Sequence, residues 1–298
     1  MASGPASYDT LLRDAAVALT AAGIDNPRFE ARLLLAHAAG ITIEWLIAHG
    51  DDAASPALAE ALRALTARRI RREPMAYVIG EREFWGLPFK VSPAVLVPRP
   101  DSETLIEAAL ALMPGRTEPW RIADLGVGSG CLLLTLLREF PNARGVGMDA
   151  SPAALAITRL NAESLGVATR LKLVEADWRQ PDWAERLGGP FDLLVSNPPY
   201  IETEAIAGLM PDVARFEPRL ALDGGPDGLM AYRAIAGEAA RLVARGGRLL
   251  IEAGEGQAPE IAELLSAAGL LPGAPLKDLG GIDRIVPATH KAVGKAAE

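Results

Sequence analysis

The stretch Arg121-Ile122-Ala123-Asp124-Leu125-Gly126-Val127-Gly128-Ser129-Gly130 decides the fold. Its first half, Arg121 to Leu125, is a short apolar run with strand character. A turn with three glycines follows, and from Leu132 to Phe140 the apolar residues recur at helical spacing. Glycines at such a strand-to-helix turn let a ligand approach the backbone closely, and a helix N-terminus favours an anion. The turn alone is weak support for a ligand site, because a tight strand–helix connection uses glycine with nothing bound.

Downstream the same alternation continues. Strands are predicted over Arg144–Met148, Arg170–Glu175, Phe191–Val195 and Arg248–Glu252, with two more near Leu276 and Ile285. Helices are predicted from Ser151-Pro152 to about Leu165, from Asp227-Gly228 to Ala244, and over Gln257–Ala268. This pattern predicts an α/β fold: a doubly wound, mostly parallel, seven-stranded sheet covered by helices on both faces.

Upstream the chain reads differently. From Tyr8 to about Arg72 it is helical, with Leu11, Leu12, Ala15, Ala18 and Leu19 recurring at three and four and a stop at Gly23. Further helices follow from Asn26-Pro27, over Ile43–Ala48, and from Ser55-Pro56. The reading is a small helical bundle. Its last helix carries Arg68, Arg69, Arg71 and Arg72. These are read as a solvated helix end in preference to a docking patch for an acidic or RNA-associated partner. Pro74 is expected to end that helix, and Glu83-Phe84-Trp85 and Leu87 to Val91, flanking Gly86, predict a β-hairpin. The expected domains are an N-terminal helical docking domain over 1–80, a hairpin linker over 81–100, and an α/β domain over 101–298.

Composition narrows the function. A chain of 298 residues with 50% hydrophobic and 23% charged residues is long enough for a sizeable core and is not disordered. The formal charge of −8 argues against a broad grip on nucleic-acid backbone. One cysteine, Cys131, precludes an internal disulfide or a thiolate cluster. No secretion signal opens the chain and no run approaches the ~18 apolar residues of a membrane span. A cytoplasmic, monomeric protein with neither membrane nor direct nucleic-acid partner is expected. His37, His49 and His290 stand apart, so no metal site or nucleophilic triad is predicted.

The chemistry is carried by strand ends. Phe191–Val195 runs into Ser196-Asn197-Pro198-Pro199-Tyr200. Two successive prolines fix φ, remove two N–H donors and restrict Asn197 and Pro198. What remains is a stiff edge of acceptors, the Asn197 side-chain oxygen and nearby main-chain carbonyls, followed by an aromatic ring. Such an edge suits a planar NH2 group. An amide nitrogen is a poor nucleophile, and two fixed acceptors favour the charge that develops on it during attack. Tyr200 can close over the target or face a cation. The bland alternative is an Asn-Pro turn ending a strand. Asp149, about 20 residues beyond the glycine turn, can accept from two ribose hydroxyls. Its alternative role, capping the next helix, can be filled by Ser151. At the next strand end Asp177 can accept from an adenine amino group, and Trp178 offers a surface beside the base.

The glycine turn admits two ligands. A dinucleotide fingerprint wants glycine or alanine where Cys131 stands. The turn more closely resembles the first motif of class I methyltransferases that use S-adenosylmethionine. That resemblance implies a Rossmann-like fold, a loop Gly126-Val127-Gly128-Ser129-Gly130 cradling the methionine end, and Asp124 holding its ammonium group.

Over nearly its whole length the chain resembles the HemK/PrmC family, the protein-(glutamine-N5) methyltransferases acting on class I peptide release factors. Besides Asn197 to Tyr200, the likeness includes Glu73 to Gly80, Phe84-Trp85-Gly86, Val97 to Glu103, Glu217 to Leu222, Gly224 to Leu229, and Asp278 to Gly281 with Arg284. Departures are small, with Val127 and Ser102 where that family usually has threonine. The resemblance implies methyl transfer to the glutamine of a release factor's Gly-Gly-Gln motif. In that reading the glutamine amide donates to the Asn197 side chain and the Pro198 carbonyl, Pro199 and Tyr200 complete the substrate corner, and the helical domain docks the release factor. The Asn-Pro-Pro-Tyr turn is also shared with adenine-N6 methyltransferases of nucleic acid, and a sibling activity methylates a ribosomal-protein glutamine. A cofactor-binding module without catalysis is the reading from another class.

Overall fold

The computed structural model describes residues 6–291. The opening five residues, on which the expectation about a secretion signal partly falls, and the residues from 292 lie outside the described residues. Two compact units emerge. The first ends at Gly80 but also takes in 210–216, and the second holds the rest.

The first unit contains α1 (Tyr8–Ala21), α2 (Pro27–Ala39), α3 (Ile43–Ala48), α4 (Pro56–Ile70) and α5 (Met75–Ile79). Ser7, Thr42 and Ser55 start three of these helices by accepting from Thr10, Trp45 and Leu58 N–H groups. Leu19, Leu34, Leu35, Leu46 and Leu62 meet in its core. α4 stops at Ile70, short of Pro74, with Arg71 at its C-cap and Arg72 at φ +71°, and Pro74 stands instead at the N-cap of α5. Of the arginine run only Arg71 is exposed, and the other three are not a solvated end. Arg69 is 6% exposed and bonds Glu30, Asp212 and the Glu73 carbonyl. Arg68 holds Glu73 and the Tyr77 and Val78 carbonyls, and Arg72 the Ala22 and Gly23 carbonyls. The guanidiniums staple orphan carbonyls and carboxylates within the unit, a use that a forked donor supports better than an ammonium.

The second unit opens with a hairpin, β1 (Glu81–Phe84) and β2 (Leu87–Lys90), paired antiparallel. Then come α6 (Glu103–Leu112), β3 (Arg121–Leu125), α7 (Cys131–Glu139), β4 (Arg144–Asp149), α8 (Pro152–Ser164), β5 (Leu171–Glu175), α9 (Trp183–Leu187) and β6 (Phe191–Ser196). After α10 (Pro211–Phe216), which clusters with the first unit, follow α11 (Met230–Leu242), β7 (Val243–Glu252), α12 (Ala258–Ala267), β8 (Leu270–Pro272), β9 (Leu276–Lys277) and β10 (Asp283–His290). The sheet order is β5-β4-β3-β6-β7-β10-β8, parallel through β7, with β10 antiparallel. It has eight strands where seven are expected, because β8 and the two-residue β9 both pair with β10.

Strand side chains alternate between two cores, as the two-residue period requires. Leu125, Leu194, Ile251 and Val286 face a core with Tyr232, Ile235 and Ile261 of α11 and α12. Ile122, Leu193, Val195, Leu250 and Ile285 face the other, with Leu105, Leu133 and Leu137 of α6 and α7 and with Phe84 and Phe89 of the hairpin. Both faces of the parallel strands are thus dry, which leaves only strand ends for polar chemistry.

Candidate active site

Register aligns those ends. Leu125 of β3 pairs with Met148 on one side and Ser196 on the other, and Ser196 pairs with Ile251 of β7. Gly126, Asp149, Asn197 and Glu252 therefore leave the sheet side by side at its carboxyl edge, where the strand order reverses and ligands of such folds bind. The Ser196 hydroxyl donates to the Leu125 carbonyl at 2.7 Å and ties two of these ends together.

The glycine loop is held in place from beneath. Gly126, Gly128 and Gly130 have φ of +79°, +54° and +85°, a region closed to most side chains. A Cβ on Gly126 would meet the Trp178 ring at 3.2 Å, so that glycine also makes room for the indole. Gly126 and Val127 N–H groups both donate to the Met148 carbonyl at 2.8 Å, Gly130 N–H donates to the Val127 carbonyl, and Gly128 N–H donates to Asp149 at 2.9 Å. From α8, Thr158 donates to the Gly128 carbonyl and the buried Asn161 to the Ser129 carbonyl, both at 2.8 Å. Asn161 also exchanges two bonds with the Lys90 backbone, which pins the hairpin to the loop. Four loop N–H groups are thus spent inside the protein, so the expected preference for an anion is weakened. Apart from Arg99, which pairs with Glu217, the charged side chains that reach the adjoining space are carboxylates.

That space is a cavity of about 350 Å³, within the range of small-ligand pockets. Asp124, Gly126, Val127, Gly128, Ser129, Asp149, Asp177, Trp178, Asn197 and Pro199 all line it, whereas Gly130, Pro198 and Tyr200 do not. Asp124 is 1% exposed and its Oδ1 has no hydrogen-bond partner. Burial, with the charge of Asp149 in second place, pushes its carboxyl up to about 8. A buried carboxylate oxygen left without a donor suits a cation that arrives with the ligand. Asp149 accepts from Gly128 N–H with Oδ2 and from Ser151 N–H with Oδ1, and burial raises its pKa. Ser151, not Asp149, caps α8. Asp177 is held by a fork from Arg179, which keeps its pKa low, so a base would share this carboxylate with a guanidinium.

Asn197 Nδ2 donates to Ser102 Oγ at 3.1 Å, and among the described residues its Oδ1 accepts nothing. Ser102 in turn donates to Glu252 at 2.6 Å. Tyr200 packs against the core beneath α11 and α12, and its carbonyl accepts from Gln257. The arm Pro93–Arg99 forms another wall, where Arg99 and the Val97 N–H both bind the buried Glu217. Sequence reasoning missed Ser102 as a partner of Asn197, and it missed Glu252, Asn161 and Thr158. No local pattern marks any of them, because each works across a long sequence separation.

Comparison with known proteins gives a consistent answer. The PrmC N-terminal domain family matches residues 10–80, and the methyltransferase small domain family matches residues 103–212. A release factor glutamine methyltransferase of Rhodospirillum rubrum is 45% identical over 284 residues, covering 95% of this chain and 85% of the relative. One from Cereibacter sphaeroides is 47% identical, covering 93% and 96%. The chain belongs to the release factor glutamine methyltransferase family. A methyltransferase from Pyrococcus furiosus, 17% identical with a TM-score of 0.50 over 76% of this chain and 98% of that one, shares the fold. Membership of this methyltransferase family implies S-adenosylmethionine as the methyl donor. Among the described residues no group of acidic, histidine or cysteine side chains could hold a metal ion, and no helix is long and apolar enough to cross a membrane.

Proposed function

We propose that this release factor glutamine methyltransferase transfers a methyl group from S-adenosylmethionine to the side-chain nitrogen of the glutamine in the Gly-Gly-Gln motif of class I peptide release factors. One observation carries the reading: a single cavity holds an unpartnered carboxylate oxygen on Asp124 and an unpartnered amide oxygen on Asn197.

The residues fit the donor. Asp124 would take its ammonium group, Asp149 its ribose hydroxyls with the lone pairs left beside Gly128 and Ser151, and Trp178, with Asp177 at its side, its adenine. When bound, S-adenosylmethionine supplies a methyl group on a sulfonium, an electrophile that needs no further activation. Asn197 Oδ1 and the Pro198 carbonyl hold the two hydrogens of the substrate carboxamide. Charge that develops on that nitrogen is stabilised by the same two acceptors, and the alkylated nitrogen then sheds its proton without a strong base. Tyr200, which stands outside the cavity wall, serves by filling the space behind the turn. The helical unit docks the release factor, and the enzyme works as a cytoplasmic monomer.

The test is mass spectrometry of a purified release factor incubated with the enzyme and S-adenosylmethionine. One added methyl on the Gly-Gly-Gln glutamine is expected. Transfer to duplex oligonucleotide or to a ribosomal protein, with the release factor left unmodified, would replace this reading with one of its alternatives.

A further inference from the structure

Glu252 is a buried acid, 1% exposed, without a direct ion pair among the described residues. The nearby Arg284 is turned to Asp278 and the Ala253 carbonyl instead. Its side chain accepts from the Ser102 hydroxyl at 2.6 Å, while Tyr232 donates to its backbone carbonyl at 3.0 Å. Burial raises the Glu252 pKa against the lowering effects of the Ser102 bond and the Arg284 charge, so the ionised form is held at a cost that stability does not explain. Nor does Glu252 line the cavity; Ser102 stands between it and the space beside Asn197.

The hydrogen bonds run in one direction. Asn197 Nδ2 donates to Ser102 Oγ, and Ser102 donates to Glu252 Oε2. Burial raises the Glu252 carboxyl to about 7, and in its ionised form it only accepts, so the Ser102 proton is then committed to it and the oxygen is left to accept from Asn197. We propose that Glu252 is a positioning residue for methyl transfer: through Ser102 it fixes which way round the Asn197 carboxamide sits, so that Oδ1 and not Nδ2 faces the substrate nitrogen. An amide turned by 180° would present two N–H donors to the two N–H donors of the substrate, and the clamp would repel what it must hold. The proline-stiffened backbone places Asn197 but cannot choose between its two amide orientations, which occupy nearly the same volume. Glu252 makes that choice. The inference rests on Asn197 being the acceptor for the substrate amide.

The experiment uses the full-length enzyme, a purified release factor and four variants: Glu252→Gln, Ser102→Ala, Ser102→Thr and the double Ser102→Ala/Glu252→Gln. Glutamine can accept from Ser102 or donate to it, so it leaves the direction open. Glu252→Gln and Ser102→Ala should each lower kcat by about 10- to 100-fold, with KM for the release factor and Kd for S-adenosylhomocysteine within about threefold of wild type. Ser102→Thr, which restores the hydroxyl, should recover most of the turnover lost in Ser102→Ala. The double variant should be no worse than the weaker single, because both remove one relay.

Full turnover in Glu252→Gln and Ser102→Ala, with Asn197→Ala inactive, would overturn the relay and leave the Asn197 assignment standing. An active Asn197→Ala would overturn the assignment itself. Should Glu252→Gln fail to fold, the serine pair decides alone. Loss of cofactor affinity and melting temperature together with kcat in Ser102→Ala, without recovery in Ser102→Thr, would mark a structural role and refute the proposal.

Discussion

Asp124 offers a prediction whose size can be worked from its surroundings. It is buried at the sheet's carboxyl edge with one oxygen unpartnered, and burial raises its pKa to about 8. An ammonium group seated on that oxygen requires the ionised form. At pH 7 the free enzyme holds this carboxyl about nine-tenths protonated, so binding must first remove a proton at a cost of about 1.4 kcal/mol; at pH 6 the cost is about 2.7 kcal/mol. The direction follows from the acid's raised pKa. As pH rises the carboxyl is increasingly ionised before the ligand arrives, so affinity rises close to tenfold per unit below about pH 7 and levels above about pH 8.

Isothermal titration of S-adenosylhomocysteine between pH 6 and 8, in buffers of contrasting ionisation enthalpy, reads both the affinity and the proton. About one proton should be released per ligand at pH 6, and fewer as pH approaches 8. Asp124→Asn should weaken binding by about 1.5–3 kcal/mol, the worth of a hydrogen bond to a charged group, and flatten the slope. Because the charge of Asp149 adds to the shift, Asp149→Asn should move the midpoint to lower pH. Affinity independent of pH, with no proton released, would refute the assignment. So would an unchanged slope in Asp124→Asn.

Three further outcomes are expected. Asn197→Ala should raise the barrier to transfer by roughly 2–4 kcal/mol, as the loss of a preorganised partner does, with little change in S-adenosylhomocysteine affinity; single-turnover kinetics and calorimetry separate the two. Gly130→Ala should destabilise the protein by about 1–3 kcal/mol in denaturant unfolding, since φ there is +85° and the new Cβ would lie 2.8 Å from Leu134 and 2.9 Å from Thr158. Arg69→Ala should destabilise the helical unit by about 3–5 kcal/mol, because it strands the carboxylates of Glu30 and Asp212; proteolysis or hydrogen exchange of that unit reads the loss.

Much of the site could be read from the sequence because its chemistry is local. Three glycines in five positions, an aspartate at the end of each of two strands, and a double proline are restrictions on φ or fixed acceptors, and each leaves a mark within a few residues. The parallel alternation was readable for a similar reason: strand and helix differ in apolar period. What escaped reading depends on partners far away. Arg69 looks like a helix-end charge until Glu30 and Asp212 close on it from 39 and 143 positions away. Helices α5, α9 and α10, of five or six residues, are too short to show a period. The strand not expected from the sequence, β8, is three residues long and too short to show an alternation. Tyr200 shows the converse limit: its place after the double proline points to a ring over the target, but it is partly buried and packs against the core that includes α11 and α12.

The dependence of the site on register runs deeper than the positions of its ligands. β3, β6 and β7 are paired so that Leu125, Ser196 and Ile251 share one line across the sheet, and the next residues are Gly126, Asn197 and Glu252. A two-residue slip of β7 against β6 would keep every apolar side chain on its proper face. It would nonetheless move Glu252 by about 6–7 Å along its strand and break the bond to Ser102. The hydrophobic pattern thus selects the face but not the register at this edge. Polar contacts at the strand ends tie the neighbouring pairs, Ser196 to the Leu125 carbonyl between β6 and β3 and Arg284 to the Ala253 carbonyl between β10 and the end of β7. In this enzyme the groups that hold the amide clamp in line are therefore the same kind of group as those that tie the strand ends, and a substitution that loosens either is felt first as lost turnover and only later as lost stability.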